Sequence, residues 1–122
     1  RSFLYIDECI KATRRIMDSD CTEPLNIGSE EMVTINELVR ITARVANKSI
    51  GRDHVDVPHT GVRGRNSNND LIRKELGWDY SMSLEDGIRK TYNWIMGQIA
   101  KEIADGSDIS NKKYLEYGNC GK

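Results

Sequence analysis

Apolar residues recur at three- and four-residue steps in four stretches of the chain, which predicts four amphipathic helices. The first predicted helix is capped by Asp7 and extends to about Asp18. The second opens with Thr34 and Glu37, spaced as in a capping box, and ends at Asn47. The apolar faces comprise Ile6, Cys9, Ile10, Thr13, Ile16 and Met17 in the first helix, and Ile35, Leu38, Val39, Thr42, Val45 and Ala46 in the second.

Two further helices are predicted in the second half of the chain. The third is short and ends at Gly77, because a left-handed helix cap favours glycine, and Trp78 then returns to the core. The fourth is the longest and runs from Ser83 to Gly106. Their apolar positions are Leu71, Ile72 and Leu76 in the third helix and Leu84, Ile88, Thr91, Tyr92, Ile95, Ile99 and Ile103 in the fourth, where Trp94 and Met96 flank the face. Such a pattern is typical of core packing.

Three shorter apolar runs predict β-strands. Residues 3–6 are rich in aromatic and branched side chains, and residues 25–27 form an apolar run that stops at Gly28. Residues 54–57 alternate polar with apolar positions before Pro58. The sequence therefore predicts a mostly helical chain with a few short strands.

The composition narrows the class of protein. A chain of 122 residues makes one domain with a modest core. With 30% charged residues and a formal net charge of -1, it lacks the basic surface of a nucleic-acid-binding domain, and no nucleic-acid partner is expected. No apolar run reaches membrane-spanning length, so no membrane partner is expected either. Three cysteines without C-x-x-C spacing indicate a reducing, cytoplasmic location and, with two histidines, no metal site.

The ends of the chain carry their own expectations. The sequence opens at Arg1 without an initiator methionine, and the pattern is already that of ordered structure from Ser2 onward. This predicts a fragment of a longer protein. Residues 107–122 mix Asn, Lys, Gly and Tyr without periodicity, which predicts a flexible tail after an ordered lobe formed by residues 1–106.

Arg63 and Arg65 flank Gly64 in the loop before the third helix. Guanidinium groups are planar forks of donors that match the paired oxygens of phosphate or carboxylate groups. The loop is therefore a candidate anion-binding site. The alternative is that both arginines are solvated surface charges, as most exposed arginines are. The local sequence leaves both interpretations open.

The sequence offers no recognisable set of catalytic residues. It contains neither a G-x-G-x-x-G loop nor a P-loop lysine, so no nucleotide cofactor site is predicted within it. The carboxylate pairs Glu30–Glu31 and Glu85–Asp86 are interpreted as stabilising helix starts rather than as acid–base pairs. Cys9 lies on the apolar face of the first helix, which argues against a role as a nucleophile.

Four segments, in this order, resemble a known family of enzymes. They are R-S-F-L-Y-I-D-E, E-P-L-N-I-G-S-E-E-M-V-T-I-N-E-L, G-V-R-G-R-N-S-N-N, and L-G-W followed by S-L-E-D-G-I-R-K-T-Y-N-W. Over residues 1–106 the chain resembles the C-terminal part of extended short-chain dehydrogenase/reductases that act on nucleotide sugars. V-R-G-R-N-S and T-Y-N-W-I are most similar to epimerases of GDP-linked sugars. The resemblance implies an α/β fold class in which this chain is the mostly helical C-terminal lobe, with the Rossmann half absent.

The resemblance also implies roles for individual residues. In this family the Rossmann half binds NAD and carries a Tyr-x-x-x-Lys pair, while the C-terminal lobe covers the nucleotide sugar. No tyrosine here has a lysine four residues later, so the resemblance places that pair and the NAD site upstream. Arg1 matches the arginine of an R-x-F motif and Arg65 the second arginine of R-G-R; both are implied to approach the substrate diphosphate, and Arg63 to be structural. Asn68 replaces an aspartate of many relatives, and Tyr80 the usual proline after L-G-W-x.

The leading hypothesis is therefore the substrate-binding part of an NAD-dependent nucleotide-sugar epimerase, an isomerase whose parent enzyme is a homodimer. The isolated chain is predicted to be inactive, because it lacks both the cofactor loop and the catalytic pair. One alternative is the same lobe of a nucleotide-sugar dehydratase, 4-epimerase or decarboxylase. The other is a non-catalytic interaction module that uses its long fourth helix as a partner surface.

Overall fold

The computed structural model describes residues 1–55 and 61–106. Within them the chain forms four helices: α1 (Ile6–Met17), α2 (Ile35–Val45), α3 (Asp70–Leu76) and α4 (Leu84–Ala104). All four predicted helices are thus confirmed. The chain divides into two compact units, Arg1–Arg89 and Lys90–Lys122, and the description of the second unit covers the last part of α4 and the turn after it. In the part of the chain described here, no helix is both long and apolar enough to span a membrane.

The ends of α2 follow the predicted chemistry. Thr34 Oγ1 accepts a hydrogen bond of 3.0 Å from the backbone N–H of Glu37, as a side-chain cap does. At the other end Asn47 has a positive φ of 52°. There the N–H of Asn47 donates to the carbonyl of Arg44 and the N–H of Lys48 to that of Ala43, the paired bonds of a Schellman motif. Asn47 therefore ends α2, as the sequence predicts.

The caps of the other helices are confirmed in three cases and wrong in one. Gly77 ends α3 with a φ of 58°, and the N–H of Asp86 donates to Ser83 Oγ at the start of α4. Gly106, with a φ of 77°, follows the end of α4 as predicted. The predicted cap of α1 is wrong, because the helix already begins at Ile6 and Asp7 lies inside its first turn. In that position the Asp7 carboxylate still faces the positive end of the helix dipole.

The core of the first unit is small. Ala12 of α1, Ile72 of α3 and Trp78 are almost completely buried and pack together. Around them lie partly buried side chains from α1, α3 and the loops, namely Leu4, Ile16, Leu25, Ile27, Leu76 and Tyr80. Trp78 thus returns to the core as predicted, directly after the turn at Gly77 that ends α3.

The buried face of α1 differs from the predicted one. The residues that face inward are Glu8, Ala12 and Ile16, which are four residues apart, whereas Ile10 is 57% exposed and Met17 is 79% exposed. Glu8 can be buried because its carboxylate accepts a hydrogen bond of 3.0 Å from the backbone N–H of Ser81. Of the apolar stripe predicted from the sequence, Ile16 packs against the core, whereas Ile6, Ile10 and Met17 are exposed to solvent.

In α4, too, the observed burial differs from the predicted one, because core packing is predicted for Trp94 and Met96. Trp94 is 66% exposed and Met96 is 44% exposed. The periodicity of α4 identifies its helical structure correctly but not the burial of these two side chains.

The predicted strands are wrong for the residues that the structure describes. Residues 3–5 and 25–27 have no regular secondary structure, residue 6 already belongs to α1, and the described residues contain one isolated antiparallel bridge, between Ser2 and Met32. A strand requires a ladder of successive hydrogen bonds, and this bridge is a single residue pair outside the predicted runs. Residues 54–55 have no regular structure, while the rest of the predicted strand at 56–57 and the predicted tail at 107–122 lie outside the described residues.

Candidate functional site

A cleft of about 410 Å³ lies in the first unit where three segments of the chain meet. It brings together Arg1 and Arg65, the two residues implied to approach a diphosphate. The other lining residues that the structure describes are uncharged and come from the N-terminal segment, from the segment before α2 and from the loop before α3; they are Ser2, Leu4, Asn26, Ile27, Gly28, Ser29, Asn66 and Ser67. Arg63 does not line the cleft.

Backbone hydrogen bonds place Arg1 beside the arginine loop. The N–H of Arg1 donates to the carbonyl of Val33 at 2.8 Å, and the N–H of Val33 donates to the carbonyl of Arg1 at 2.9 Å. The next residue, Ser2, donates its N–H to the carbonyl of Arg65 at 3.3 Å. A Cβ added to Gly61 would lie 3.6 Å from Arg1 Nη2, so the Arg1 guanidinium group reaches the beginning of the loop.

The loop also lies against the segment before α2. The N–H of Ser67 donates to the carbonyl of Ser29 at 3.4 Å. At this point Gly28 has no room for a side chain, because an added Cβ would lie 2.5 Å from Ser67 Cβ. Such a close approach requires glycine for reasons of space. The absence of a side chain at Gly28 thereby allows the loop at Ser67 to lie directly against the segment before α2.

Asn69 ties these two segments together from behind the cleft. Its side chain is completely buried; Nδ2 donates to the carbonyl of Gly28 at 2.8 Å and Oδ1 accepts from Ser67 Oγ at 2.6 Å. Its backbone N–H donates to Glu30 Oε1 at 3.1 Å. Both polar atoms of the side chain are therefore satisfied, as a buried amide requires.

A network of ion pairs continues from Glu30 into α3. Arg73 donates to both carboxylate oxygens of Glu30, at 3.0 and 2.6 Å, and to both of Asp79, at 2.8 and 3.2 Å. It also reaches Asp70 at 3.3 Å. The hydrogen bonds from Arg73 and from the Asn69 N–H hold the pKa of Glu30 below its ordinary value, and Arg73 does the same to the pKa of Asp79. Glu30, followed by Asp79, in turn raises the pKa of Arg73.

Among the residues that the structure describes, no carboxylate compensates the charge of the cleft. None of its lining residues in 1–55 and 61–106 is acidic, and within these ranges no carboxylate lies within 4.0 Å of the side chains of Arg1, Arg63 or Arg65. Five other arginines of these residues do form ion pairs: Arg14, Arg40, Arg44, Arg73 and Arg89. A guanidinium group without a carboxylate partner keeps its donors available for an anion. Arg1 and Arg65 combine this property with a place in the cleft.

The Glu30–Glu31 pair is predicted to stabilise the start of its own helix, and this location is wrong. Neither residue begins a nearby helix; Glu30 accepts from the N–H of Asn69 before α3, and Glu31 Oε2 accepts from the N–H of Leu84, the first residue of α4, at 2.9 Å. Both carboxylates stabilise helix starts that are distant in sequence. Glu85 does lie in the first turn of α4, as predicted, where it pairs with Arg44 and Arg89.

Sequence reasoning did not identify Asn69, Glu30 or Arg73 as parts of this site. The signal in the sequence was weak, because asparagine before a helix is common and charged residues are usually solvated. The burial of an asparagine and its structural role can be recognised only when the segment that it contacts is known. The site residues Arg1 and Arg65, in contrast, came from a match of motifs and not from local chemistry.

Comparison with known proteins bears on this arrangement. The chain is 49% identical to GDP-mannose 3,5-epimerase of Arabidopsis thaliana over 110 residues, which is 90% of the chain. It is 48% identical, over the same share, to GDP-mannose 3,5-epimerase 1 of Oryza sativa subsp. indica. The chain belongs to the nucleotide-sugar epimerase and dehydratase family. More distant relatives agree, among them UDP-glucuronic acid decarboxylase 5 of Arabidopsis thaliana, 30% identical over 72% of the chain.

The resemblance to this family is thus confirmed, and the chain corresponds to a part of its members. It spans 29% of the length of the two GDP-mannose 3,5-epimerases. No protein-family model matches the chain.

Proposed function

We propose that this chain binds a nucleotide sugar, as the substrate-binding part of an NAD-dependent enzyme of the GDP-mannose 3,5-epimerase type. In this proposal Arg1 and Arg65 contact the diphosphate. One observation carries it: Arg1 and Arg65 line a single cleft, and none of the described residues that line it is acidic. A diphosphate would neutralise both charges and offer paired oxygens to each fork of donors. Arg63, outside the cleft, has a structural role.

The role of the chain in the reaction is binding and orientation. Its sequence has no G-x-G-x-x-G loop and no Tyr-x-x-x-Lys pair, so we assign the NAD site and the catalytic pair to another part of the parent enzyme. NAD bound there would supply a reversible hydride acceptor for the sugar. The cleft residues would hold the nucleotide sugar by its diphosphate, which leaves the sugar free to face that other part. We propose a cytoplasmic homodimer as the parent enzyme.

Calorimetric titration of GDP-mannose into the wild-type chain, with UDP-glucose alongside, tests the proposal. The decisive variants are Arg65→Ala and, as a matched control from the same loop, Arg63→Ala. Both remove one positive charge, but only Arg65 lines the cleft. Loss of a charge-assisted contact should weaken binding by about tenfold to a hundredfold in Arg65→Ala. Arg63→Ala should bind nearly as well as the wild type.

The outcomes separate the two interpretations of the loop. Equal losses in both variants would mean that the loop contributes only a diffuse positive charge. Absence of GDP-mannose binding by the wild-type chain would contradict the proposal for this chain. A preference for UDP-glucose over GDP-mannose would instead favour a related epimerase or decarboxylase of UDP-linked sugars.

A second candidate function is that of a non-catalytic interaction module. It is favoured by the open apolar face of α1, on which Ile6, Ile10 and Met17 are all more than half exposed. Apolar faces of this kind promote association. Light scattering that finds a stable dimer, together with a calorimetric titration that finds no affinity for either nucleotide sugar, would support this candidate over the first.

A further inference from the structure

Asn69 stands out among the polar residues near the cleft because it is buried completely and its side chain holds two residues that line the cleft. It does not line the cleft, which is bounded on that side by Gly28 and Ser67. Its side chain contacts both of these residues, through Gly28 O at 2.8 Å and Ser67 Oγ at 2.6 Å. Asn69 is thus placed where it can control the width of the cleft without touching what binds there.

We propose that Asn69 is a positioning residue for Arg65: its buried amide fixes the arginine loop against the Gly28 segment and so preorganises the anion cleft. This inference rests on the proposed function and names a residue that acts through Arg65. Three hydrogen bonds of Asn69, two from its side chain and one from its backbone N–H, join the loop, the Gly28 segment and Glu30 in one arrangement.

The contact between the Gly28 segment and the arginine loop is tightly packed. Gly28 and Ser67 approach so closely that one added carbon would collide. From Ser67 the chain reaches Arg65 in two residues, and the carbonyl of Arg65 accepts the N–H of Ser2 at 3.3 Å. A shift of Ser67 away from Gly28 would therefore move Arg65 relative to Arg1. A preorganised site binds tightly because the ligand does not have to order it. If Arg65 shifts, the ligand must bring the two cationic groups back to the required separation, and the affinity falls.

Glu30 and Arg73 support Asn69 from the other side. The Glu30 carboxylate accepts the Asn69 N–H and is itself held by two hydrogen bonds from Arg73. Because Arg73 also binds both oxygens of Asp79, it links the end of the loop to the residues that follow α3. This network fixes the backbone of Asn69. Its amide side chain in turn holds Gly28 and Ser67, which line the cleft.

The test compares Asn69→Ala with Asn69→Asp and with the control Asn36→Ala, an exposed asparagine of α2. Asn69→Asp preserves the side-chain size and the acceptor for Ser67, but it exchanges the donor to Gly28 for an oxygen. GDP-mannose affinity is measured by calorimetry, helix content by circular dichroism, and the positions of the Arg65, Ser67 and Ser29 amides by NMR of the free chain. Both Asn69 variants should lose about tenfold or more in affinity and shift these amides, with helix content retained. Asn36→Ala should change none of them.

Three results would overturn the inference. Asn69 variants that bind GDP-mannose within about twofold of the wild type would show that the loop needs no such support, and the proposed function would stand. A loss of helix content in both Asn69 variants would show that Asn69 holds the fold as a whole. A wild-type chain that does not bind GDP-mannose would remove the proposed function and this inference together, which is a different result from equal binding by wild type and variants.

Discussion

Gly28 illustrates how one residue can set the shape of the cleft. Its backbone lies so near Ser67 that a methyl group in place of its hydrogen would approach Ser67 Cβ to 2.5 Å and Oγ to 2.9 Å. The neighbouring atoms include a Cβ, which cannot move without moving the backbone. The requirement for glycine at position 28 is therefore one of space, in contrast to Gly77, where the positive φ of the α3 cap is the reason.

Gly28→Ala should accordingly lower the free energy of unfolding. Overpacking of a tight contact costs about 1–3 kcal/mol, and we expect a loss in that range by urea denaturation followed by circular dichroism. Gly51→Ala is the matched control, because an added Cβ there meets nothing within 4 Å. It should be neutral or stabilising by about 0.4–1 kcal/mol, since alanine restricts the unfolded chain. Equal stabilities of the two variants would contradict this account of Gly28.

At the scale of elements, three carboxylates connect parts of the chain that are far apart in sequence. Glu30 binds the start of α3, Glu31 binds the start of α4, and Glu8 of α1 binds the N–H of Ser81. Burial raises the pKa of Glu8, but the hydrogen bonds from Ser81 and Lys11 lower it by more, so that its pKa lies below the ordinary value. Since the core is small, these ionised contacts contribute to the placement of the helices.

Their titration predicts how stability depends on pH. The pKa values of Glu8 and Glu30 are lowered from an ordinary 4.5, and that of Asp79 from 3.8. The unfolded chain therefore binds more protons than the folded chain in acid, and stability rises with pH. The free energy of unfolding should be at its plateau above these ordinary values and fall as the pH decreases through the lower folded-state values.

Arg73→Gln tests the cause of this acid sensitivity. Without the guanidinium group, Glu30 and Asp79 lose the partner that contributes most to lowering their pKa values. The variant should be less stable than the wild type at neutral pH, and its stability should fall less steeply between about pH 5 and pH 3. The control is Arg14→Gln, since Arg14 pairs with Asp18 at 3.7 Å on an exposed surface. If denaturation curves of the two variants have the same pH dependence, Arg73 is not the cause.

For the molecule as a whole, the proposed function separates binding from catalysis. The purified chain, given GDP-mannose and NAD, should show no epimerisation, because neither the tyrosine–lysine pair nor the cofactor loop occurs in its sequence. Exchange of solvent deuterium into the sugar, followed by NMR, is the measurement. A full-length GDP-mannose 3,5-epimerase serves as the positive control. Turnover by the chain alone would contradict the division of roles proposed above.

Helix positions could be read from the sequence because they depend on local chemistry. The capping box at Thr34, the left-handed turns at Asn47 and Gly77, and the Ser83 cap all involve residues within a few positions of one another. The burial of Trp78 could also be predicted from the sequence, since a tryptophan directly after a helix end is expected to pack its large apolar side chain against the core. The family was also readable, because four ordered motifs carry it.

Contacts between distant segments were not accessible in this way, and they account for the errors. The buried face of α1 follows Glu8 and Ala12 rather than the apolar stripe, because the burial of Glu8 depends on an N–H that Ser81 supplies 73 residues later. The strands expected at residues 3–6 and 25–27 do not form, and the single bridge among the described residues joins Ser2 to Met32, outside both runs. The meeting of Arg1 with Arg65, and the burial of Asn69 behind them, depend on how three separate segments pack, because only packing brings residues so far apart in the chain within reach of one another.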